Sequence, residues 1–397
     1  MPLLSLSLRK IKIVNQIMRN LKYLVYLFFL SIAYSCEEKG LSQEQEETIL
    51  ENSYASGFKV IQGDGYKVLE VSKGFPGEHD AFNYLVIEDT TVQLPKRSFD
   101  AIITLIPSSV VMTSTSHIPH LDLLDESEKL KAFPNLDLIS SLSIRKLIEK
   151  GEVKDLGSGA QANIELIIDL KPDLVMISTL GGDLKNIELL KQAGIPAVIN
   201  GEYVEQDPLG RAEWIKFTGA LLGKFEEAVK VFETIALDYV EAKSIAENIR
   251  DDEKPKVMAG VMYKDIWYVP GSDSWGTQLL LAAGGDYIFK DQKGTGSAQL
   301  NYEYVLDQAQ ESDFWLGASD FPSLQAMRDA DQRYAAFKAF ELGNVYSYTS
   351  KKGPTGGIEY FELGYIRPDL ILKDLISILH PDLLKDYKPY FYTKLNE

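Results

Sequence analysis

The sequence predicts an α/β protein whose two lobes, each built on a largely parallel sheet, are joined by one long α-helix and preceded by an antiparallel β lead-in. Three observations predict it. Short buried-type strands alternate with amphipathic helices between Ala101 and Ile199, an unbroken helical period runs from Phe225 to Ile249, and strand–helix alternation restarts at Lys256. With 397 residues, 45% hydrophobic and 25% charged, the chain is long enough for two such cores, and its composition excludes disorder, collagen and coiled coil.

The first element is an address. Arg19 and Lys22 precede an apolar run from Leu24 to Ala33, too short to span a bilayer comfortably, so residues 1–35 read as a secretory signal. Ala33-Tyr34-Ser35 ahead of Cys36 resembles a bacterial lipobox, which implies that Cys36 becomes the lipid-bearing first residue of the mature protein. The lipid would be the only covalently bound group. A signal of ordinary length would begin at Met18. Removing residues 1–35 takes away five basic residues and no acidic ones, leaving 36 basic against 58 acidic residues, a net −22. Residues 36–53, mostly Glu, Gln, Lys and Ser at first, cannot bury enough to order themselves and read as a tether.

Residues 54–224 read as the N-terminal lobe. In its lead-in, short alternating stretches (58–61, 66–71, 84–87) are punctuated by Gly63-Asp64-Gly65 and Phe75-Pro76-Gly77. Residues 101–106 and 109–112 follow as buried-type strands of the lobe, and residues 117–124 are helix-like. Asn163 caps a helix over 164–170, 174–177 is a strand, 184–193 a helix stopped by Gly194, and 195–199 a strand.

Residues 209–222 carry apolar side chains at helical spacing, and residues 225–250 form the linking helix. Twenty-five helical residues extend about 37 Å, enough to pass from one small domain to another. Residues 251–397 form the C-terminal lobe, with strands at 256–262, 266–269, 314–317 and 344–348, and a helix at 275–283 closed by Gly284-Gly285. The two lobes echo each other: Asn163-Ile164-Glu165 leads to a strand beginning at Asp173, and Asn301-Tyr302-Glu303 leads to one beginning at Asp313. Two like lobes joined by one helix enclose a cleft.

The chemistry absent narrows the function. No GxSxG elbow, Walker loop, HExxH or EF-hand loop occurs, and the Gly-Gly pairs lack the spacing of phosphate cradles. With Cys36 as the only cysteine, neither an intramolecular disulfide nor a thiolate zinc site can form. The four histidines are scattered, and Pro119 disturbs the one ligand-like pair, His117 and His120, so no dedicated metal site is expected. The acidic excess repels nucleic acid. No carboxylate pair marks a general acid and base, and the chain reads as a binding protein rather than an enzyme.

GEVKDLGSGAQANIELIIDLKPDLVMIS (151–178), LLKQAGIPAVIN (189–200), DPLGRAEWIKFTGALLG (207–223), WYVPGSDSWGTQLLLAAGGDYIF (267–289) and LNYEYVLDQAQESDFWL (300–316) resemble the class III substrate-binding proteins of bacterial ABC importers. That group carries ferric siderophores, haem and cobalamin. The resemblance implies two Rossmann-like lobes, a permease with its cytoplasmic ATPase as partner, a monomeric binding protein in the cell envelope, and docking glutamates at Glu165 and Glu303. Where cobalamin binders place cleft tryptophans this sequence has Ser158 or Gly159, Ser178 and Ser297, which weakens a cobalamin reading; a ferric siderophore is the leading ligand, with cobalamin, a corrinoid or haem as the alternative. A surface enzyme or adhesion module on the same scaffold is the rival class.

The cleft should lie outside the carboxyl ends of the sheet strands. That rule selects Ser114, Thr115, His117, Thr179, Tyr203, Arg211, Tyr268 and Trp275 as ligand-binding residues. A ferric chelate, bulky and often anionic, needs aromatic walls and a guanidinium, which Tyr203, Tyr268, Trp275 and Arg211 supply. Trp214 and Trp315 are expected in the core.

Overall fold

The computed structural model describes residues 47–104, 106–157, 163–182 and 184–397, together with Gln16. The signal, Cys36 and most of the expected tether lie outside the described residues. Residues 47–397 form one compact unit.

Five strands open that unit in chain order: β1 (Thr48–Leu50), β2 (Phe58–Gly63), β3 (Tyr66–Val71), β4 (Phe82–Ile87) and β5 (Ala101–Ile103). The first four pair antiparallel; β5 joins parallel to β4. Alternation in β2 to β4 gives this sheet two apolar faces. Phe58, Val60, Leu69, Tyr84 and Val86 pack with Trp214 and Phe217 in one core, while Ile61, Tyr66, Val68 and Leu85 pack under Val92, Leu94 and Phe99. The Asp64-Gly65 turn needs a glycine: Gly65 has φ +71, and a Cβ there would come within 2.8 Å of Val92.

The lead-in differs from its sequence reading in two ways. Ala101–Ile103, read as a strand of the N-terminal lobe, belongs to the lead-in sheet, because an apolar run states that a strand is buried without naming its neighbour. Ordered structure also begins inside the stretch read as a tether. β1 pairs with β2, and the next residues are held by two carboxylates. Glu213 accepts the backbone N–H groups of Ser53, Tyr54 and Ala55, and Glu205 those of Ser56 and Gly57, at 2.7–2.9 Å.

The second sheet contains β6 (Val110–Met112), β7 (Leu130–Phe133), β8 (Lys154–Asp155), β9 (Leu174–Ile177) and β10 (Ala197–Ile199). All are parallel, in the order β10-β9-β6-β7-β8. The strand order reverses between β6 and β9, and a crevice opens at such a switch point. Their side chains are buried throughout β6, β9 and β10, as helices covering both faces require.

Helices Pro208–Glu213 and Ile215–Leu222, read from sequence as one, are broken at Trp214. The long helix follows as Phe225–Ala246, ending three residues before Ile249, and packs against Ile215–Leu222 and the C-terminal helix Pro368–Leu379. The latter, not anticipated from sequence, buries Ile371, Leu372, Leu375, Ile376 and Leu379 in the large core.

Beyond the long helix come β11 (Lys256–Ala259), β12 (Val261–Tyr263), β13 (Ile266–Pro270), β14 (Asp286–Tyr287), β15 (Ser297–Asn301), β16 (Phe314–Leu316), β17 (Val345–Ser347) and β18 (Thr393–Lys394). The main sheet runs β14-β11-β16-β17-β18, parallel except for β18, and a small antiparallel sheet runs β12-β13-β15. Residues 256–262, read as one strand, change sheet at Gly260, whose φ is +85 and where a Cβ would lie 1.9 Å from the Tyr268 carbonyl oxygen. The mixed α/β fold with two Rossmann-like parallel sheets is the one expected.

Candidate functional site

Both main sheets end at one cavity of about 510 Å³. Gly260, Gly317 and Tyr348, which follow β11, β16 and β17, line it from one side; Tyr203 and Arg211 line it from the other. Tyr268 and Trp275 contribute as expected, joined by Tyr360, Phe361 and Tyr365. The rule that ligands bind outside the carboxyl ends of parallel strands therefore locates this cavity.

Arg211 is its electrostatic centre. The Asp207 side chain caps helix Pro208–Glu213 by accepting from the N–H groups of Leu209 and Gly210, which fixes Arg211 one turn in. Its guanidinium lies 4.9 Å from the ring centroid of Tyr365, 5.0 Å from that of Trp275 and 5.6 Å from that of Tyr203. Nε donates to the Glu205 carbonyl at 3.0 Å and Nη2 to the Tyr203 carbonyl at 2.6 Å. Arg211 is 4% exposed, and Nη1 is buried without a hydrogen-bond partner among the described residues, although the Tyr365 phenol is near enough to favour its charge. Two backbone carbonyls thus hold the guanidinium still among the three rings.

A smaller recess of about 150 Å³ lies at the ends of β6, β9 and β10, lined by Ser114, Thr115, Ser116, Ser178, Glu202 and Tyr203 together with Phe361 and Tyr365. Glu202 is buried, and desolvation pushes its carboxyl up to about 7 against the opposing influence of Ser116 and Arg211. His117 Nε2 and His120 Nε2 each stand 3.8 Å from a Glu202 oxygen. Burial holds the His117 imidazole well below its ordinary value and pulls His120 down to about 3, so these contacts are not ion pairs at neutral pH. His120 Nδ1 is 2.7 Å from the Thr218 hydroxyl. Among the described residues no group of three His, Cys, Asp or Glu side chains is arranged to hold a metal ion.

The structure gathers Ser114, Thr115, Tyr203, Arg211, Tyr268 and Trp275 around these two spaces. It places two other expected cleft residues elsewhere. His117 is fully buried beside Glu202, because the turn after β6 enters helix Ile118–Leu123 and carries the imidazole inward. Thr179 is buried too, its hydroxyl accepting from the Gly181 N–H at 2.9 Å. Trp214 and Trp315 are in the core as expected; Trp267, next to Tyr268, is also in the core, against Trp315 and Phe337. Glu202 and Tyr365 were not singled out. Glu202 adjoins Tyr203 just after β10, so the strand-end rule reached its neighbour.

Asn163 and Asn301 cap their helices through side-chain oxygens that accept from Leu166 N–H and Tyr304 N–H. Glu165 and Glu303 occupy the first turns, both exposed and outside the two spaces. No helix among the described residues is long and apolar enough to cross a membrane.

Residues 110–351 match the family model for periplasmic binding proteins. An uncharacterized lipoprotein of Methanocaldococcus jannaschii is 33% identical over 256 residues, covering 64% of this chain; the matched stretch spans 59% of that relative's length. A periplasmic heme-binding protein from Pseudomonas aeruginosa has a similar fold, with a TM-score of 0.56 at 16% identity over 73% of this chain and 99% of that one. An ABC transporter substrate-binding protein from Listeria monocytogenes gives a TM-score of 0.51 at 22% identity over 69% and 99% of the two chains.

Proposed function

The chain belongs to the periplasmic binding protein family, and on that premise we propose that it is the substrate-binding component of an ABC importer, closing its two lobes around an iron chelate and delivering it to the permease. The observation that carries the ligand assignment is the Arg211 guanidinium, held among Tyr203, Trp275 and Tyr365 in a residue that lines the cavity. Such a group pairs with an anionic chelate oxygen, while the aromatic walls take the organic backbone of the chelator. Ser297 lines the main cavity and Ser178 the recess, at positions where the cobalamin binders carry tryptophan, which argues against a corrinoid.

In this reading Glu165 and Glu303 dock against permease arginines, Cys36 carries the lipid anchor, and the protein acts as a monomer in the cell envelope without catalysis. Native mass spectrometry of the purified body against ferric siderophores, haem and corrinoids tests it. A ferric siderophore should be retained at micromolar concentration. Retention of haem or a corrinoid alone replaces the ligand; failure of every compound to bind tighter than millimolar removes the transport reading.

A further inference from the structure

The recess at the ends of β6, β9 and β10 differs chemically from the cavity beside it. Tyr203, Phe361 and Tyr365 border both, so the two spaces adjoin. Inside the recess the lining polar groups are hydroxyls, the two phenols and the Glu202 carboxyl; no Lys, Arg or His side chain lines it. At about 30 Å³ per water, its 150 Å³ holds about five waters, or the last few atoms of a chain, and not the body of a chelate.

The groups facing Glu202 are Ser116 and the two imidazoles from the segment after β6, with Arg211 and Tyr365 farther off. His117 Nδ1, His117 Nε2 and His120 Nε2 are buried without hydrogen-bond partners among the described residues. Both rings are neutral, so the back wall supplies no cation to the carboxyl. A buried carboxyl with unused acceptor capacity, set among hydroxyls and backed by neutral rings, is matched by a donor that brings its own positive charge.

We propose that this recess is a subsite for a protonated amine at the end of an arm of the transported ligand, with Glu202 as its partner. The proposal rests on the reading that the adjoining cavity holds the ligand body. Binding is then an exchange: the alkylammonium enters with its three protons, the Glu202 carboxyl gives up its one, and that proton leaves to solvent as the ammonium–carboxylate pair forms. No anion is favoured there, and an anionic oxygen of the same ligand is directed to Arg211. The site thus selects a chelate with two unlike ends. Because the carboxyl titrates near neutrality when the recess is free, affinity for the amine rises as pH increases from 6 to 8 and proton release falls over the same range.

The test uses the full mature chain, a ferric trihydroxamate ending in a primary amine (ferrioxamine B) and its N-acetyl derivative. Calorimetry at pH 6, 7 and 8, in buffers of different ionisation enthalpy, reads affinity and protons released. The amine should bind on the order of tenfold tighter than the acetylated form at pH 8, with proton release at pH 6. Glu202→Gln should abolish both the preference and the release; Ser178→Leu, which fills the recess while leaving the carboxyl in the chain, should abolish the preference if Glu202→Gln fails to fold. Equal affinity for the two chelates, or a preference that survives either variant, overturns the assignment. If neither chelate binds, this trihydroxamate is not the ligand, the iron-chelate reading is decided separately by the siderophore panel, and n-pentylamine becomes the probe. NMR shifts confined to residues 114–116, 178 and 202–203 then keep the recess assignment, and their absence overturns it. A transition metal that copurifies and is lost in His117→Ala also overturns it, since Glu202 would then be a metal ligand.

Discussion

Glu362 holds Ser140 across the cleft: one oxygen of its carboxylate accepts the backbone N–H of Ser140 at 2.7 Å, and the other accepts that of Ser141 at 2.8 Å. Glu362 lies on helix Glu359–Leu363, beyond β17, whereas Ser140 and Ser141 precede helix Leu142–Glu149 of the first lobe. Thr115 Oγ1, donating to the Phe361 carbonyl at 3.4 Å, and Thr355 Oγ1, donating to the Asp137 carbonyl at 2.9 Å, lie on the same seam. The seam is made of polar groups, so water can replace each partner when the lobes part.

Burial pushes the Glu362 carboxyl up to about 7, outweighing the two N–H groups that favour its charge. The folded protein therefore binds this proton more tightly than the unfolded chain does. The stability it contributes is complete below the ordinary carboxyl range and is lost as pH rises through about 7. Tm should fall between pH 5 and pH 8, and scanning calorimetry of Glu362→Gln should show a smaller fall. The variant should also be less stable at pH 5 by about 1–3 kcal/mol, because one backbone N–H then meets an amide NH₂. An unchanged pH slope in Glu362→Gln removes Glu362 from the account.

Arg211 has two duties that substitution separates. Arg211→Lys keeps the charge but cannot reach both the Glu205 and Tyr203 carbonyls with a planar fork. It should lower Tm and weaken every ligand. Arg211→Ala should weaken an anionic ferric chelate more than a neutral one, by about 1.5–3 kcal/mol, as titration calorimetry of both would read. Equal losses for the two chelates would leave the guanidinium a purely structural role.

Glu165 and Glu303 each sit in the first turn of an Asn-capped helix, exposed and lining neither the cavity nor the recess. Replacing both with Ala should leave ligand affinity and Tm near wild type while uptake falls in cells that depend on this importer. Normal uptake by the double variant would end the docking assignment.

For the anchor, Cys36→Ser should move the protein from the membrane to the soluble fraction on cell fractionation. One acyl chain holds a protein only marginally, so stable attachment requires a multiply acylated cysteine. An unchanged membrane fraction contradicts the assignment.

How far the sequence reaches can be judged at particular residues. Asn163 and Asn301 were readable as caps because the side chain, the N–H that donates to it and the following apolar period all fall within four residues. Ala101–Ile103 was readable as a buried strand but not as a partner of β4, since sheet membership depends on a segment far away in the chain. His117 and Thr179 lie beside the right strand ends, yet which way a side chain turns there is decided by the turn after the strand. Glu202 was missed for the complementary reason. An acidic residue in a loop gives no local sign of burial, and here the packing of helix Ile118–Leu123 supplies it.

Glu205 and Glu213 grip residues 53–57 by main-chain N–H groups, with one hydroxyl, Ser56 Oγ, added. Under tension from the N-terminus the two contacts act in series. β1, held by three residues of pairing, peels away first, and the carboxylates then meet the load before it reaches β2. Under such a load the segment would act as a mechanical fuse ahead of the lead-in sheet. The carboxylates hold main-chain N–H groups, so a non-proline substitution at Ser53 keeps its contact, whereas Tyr54, edge-on to Phe232, and Ala55, packed on the core, add side-chain contacts, and Glu213→Ala would remove three of the five N–H contacts.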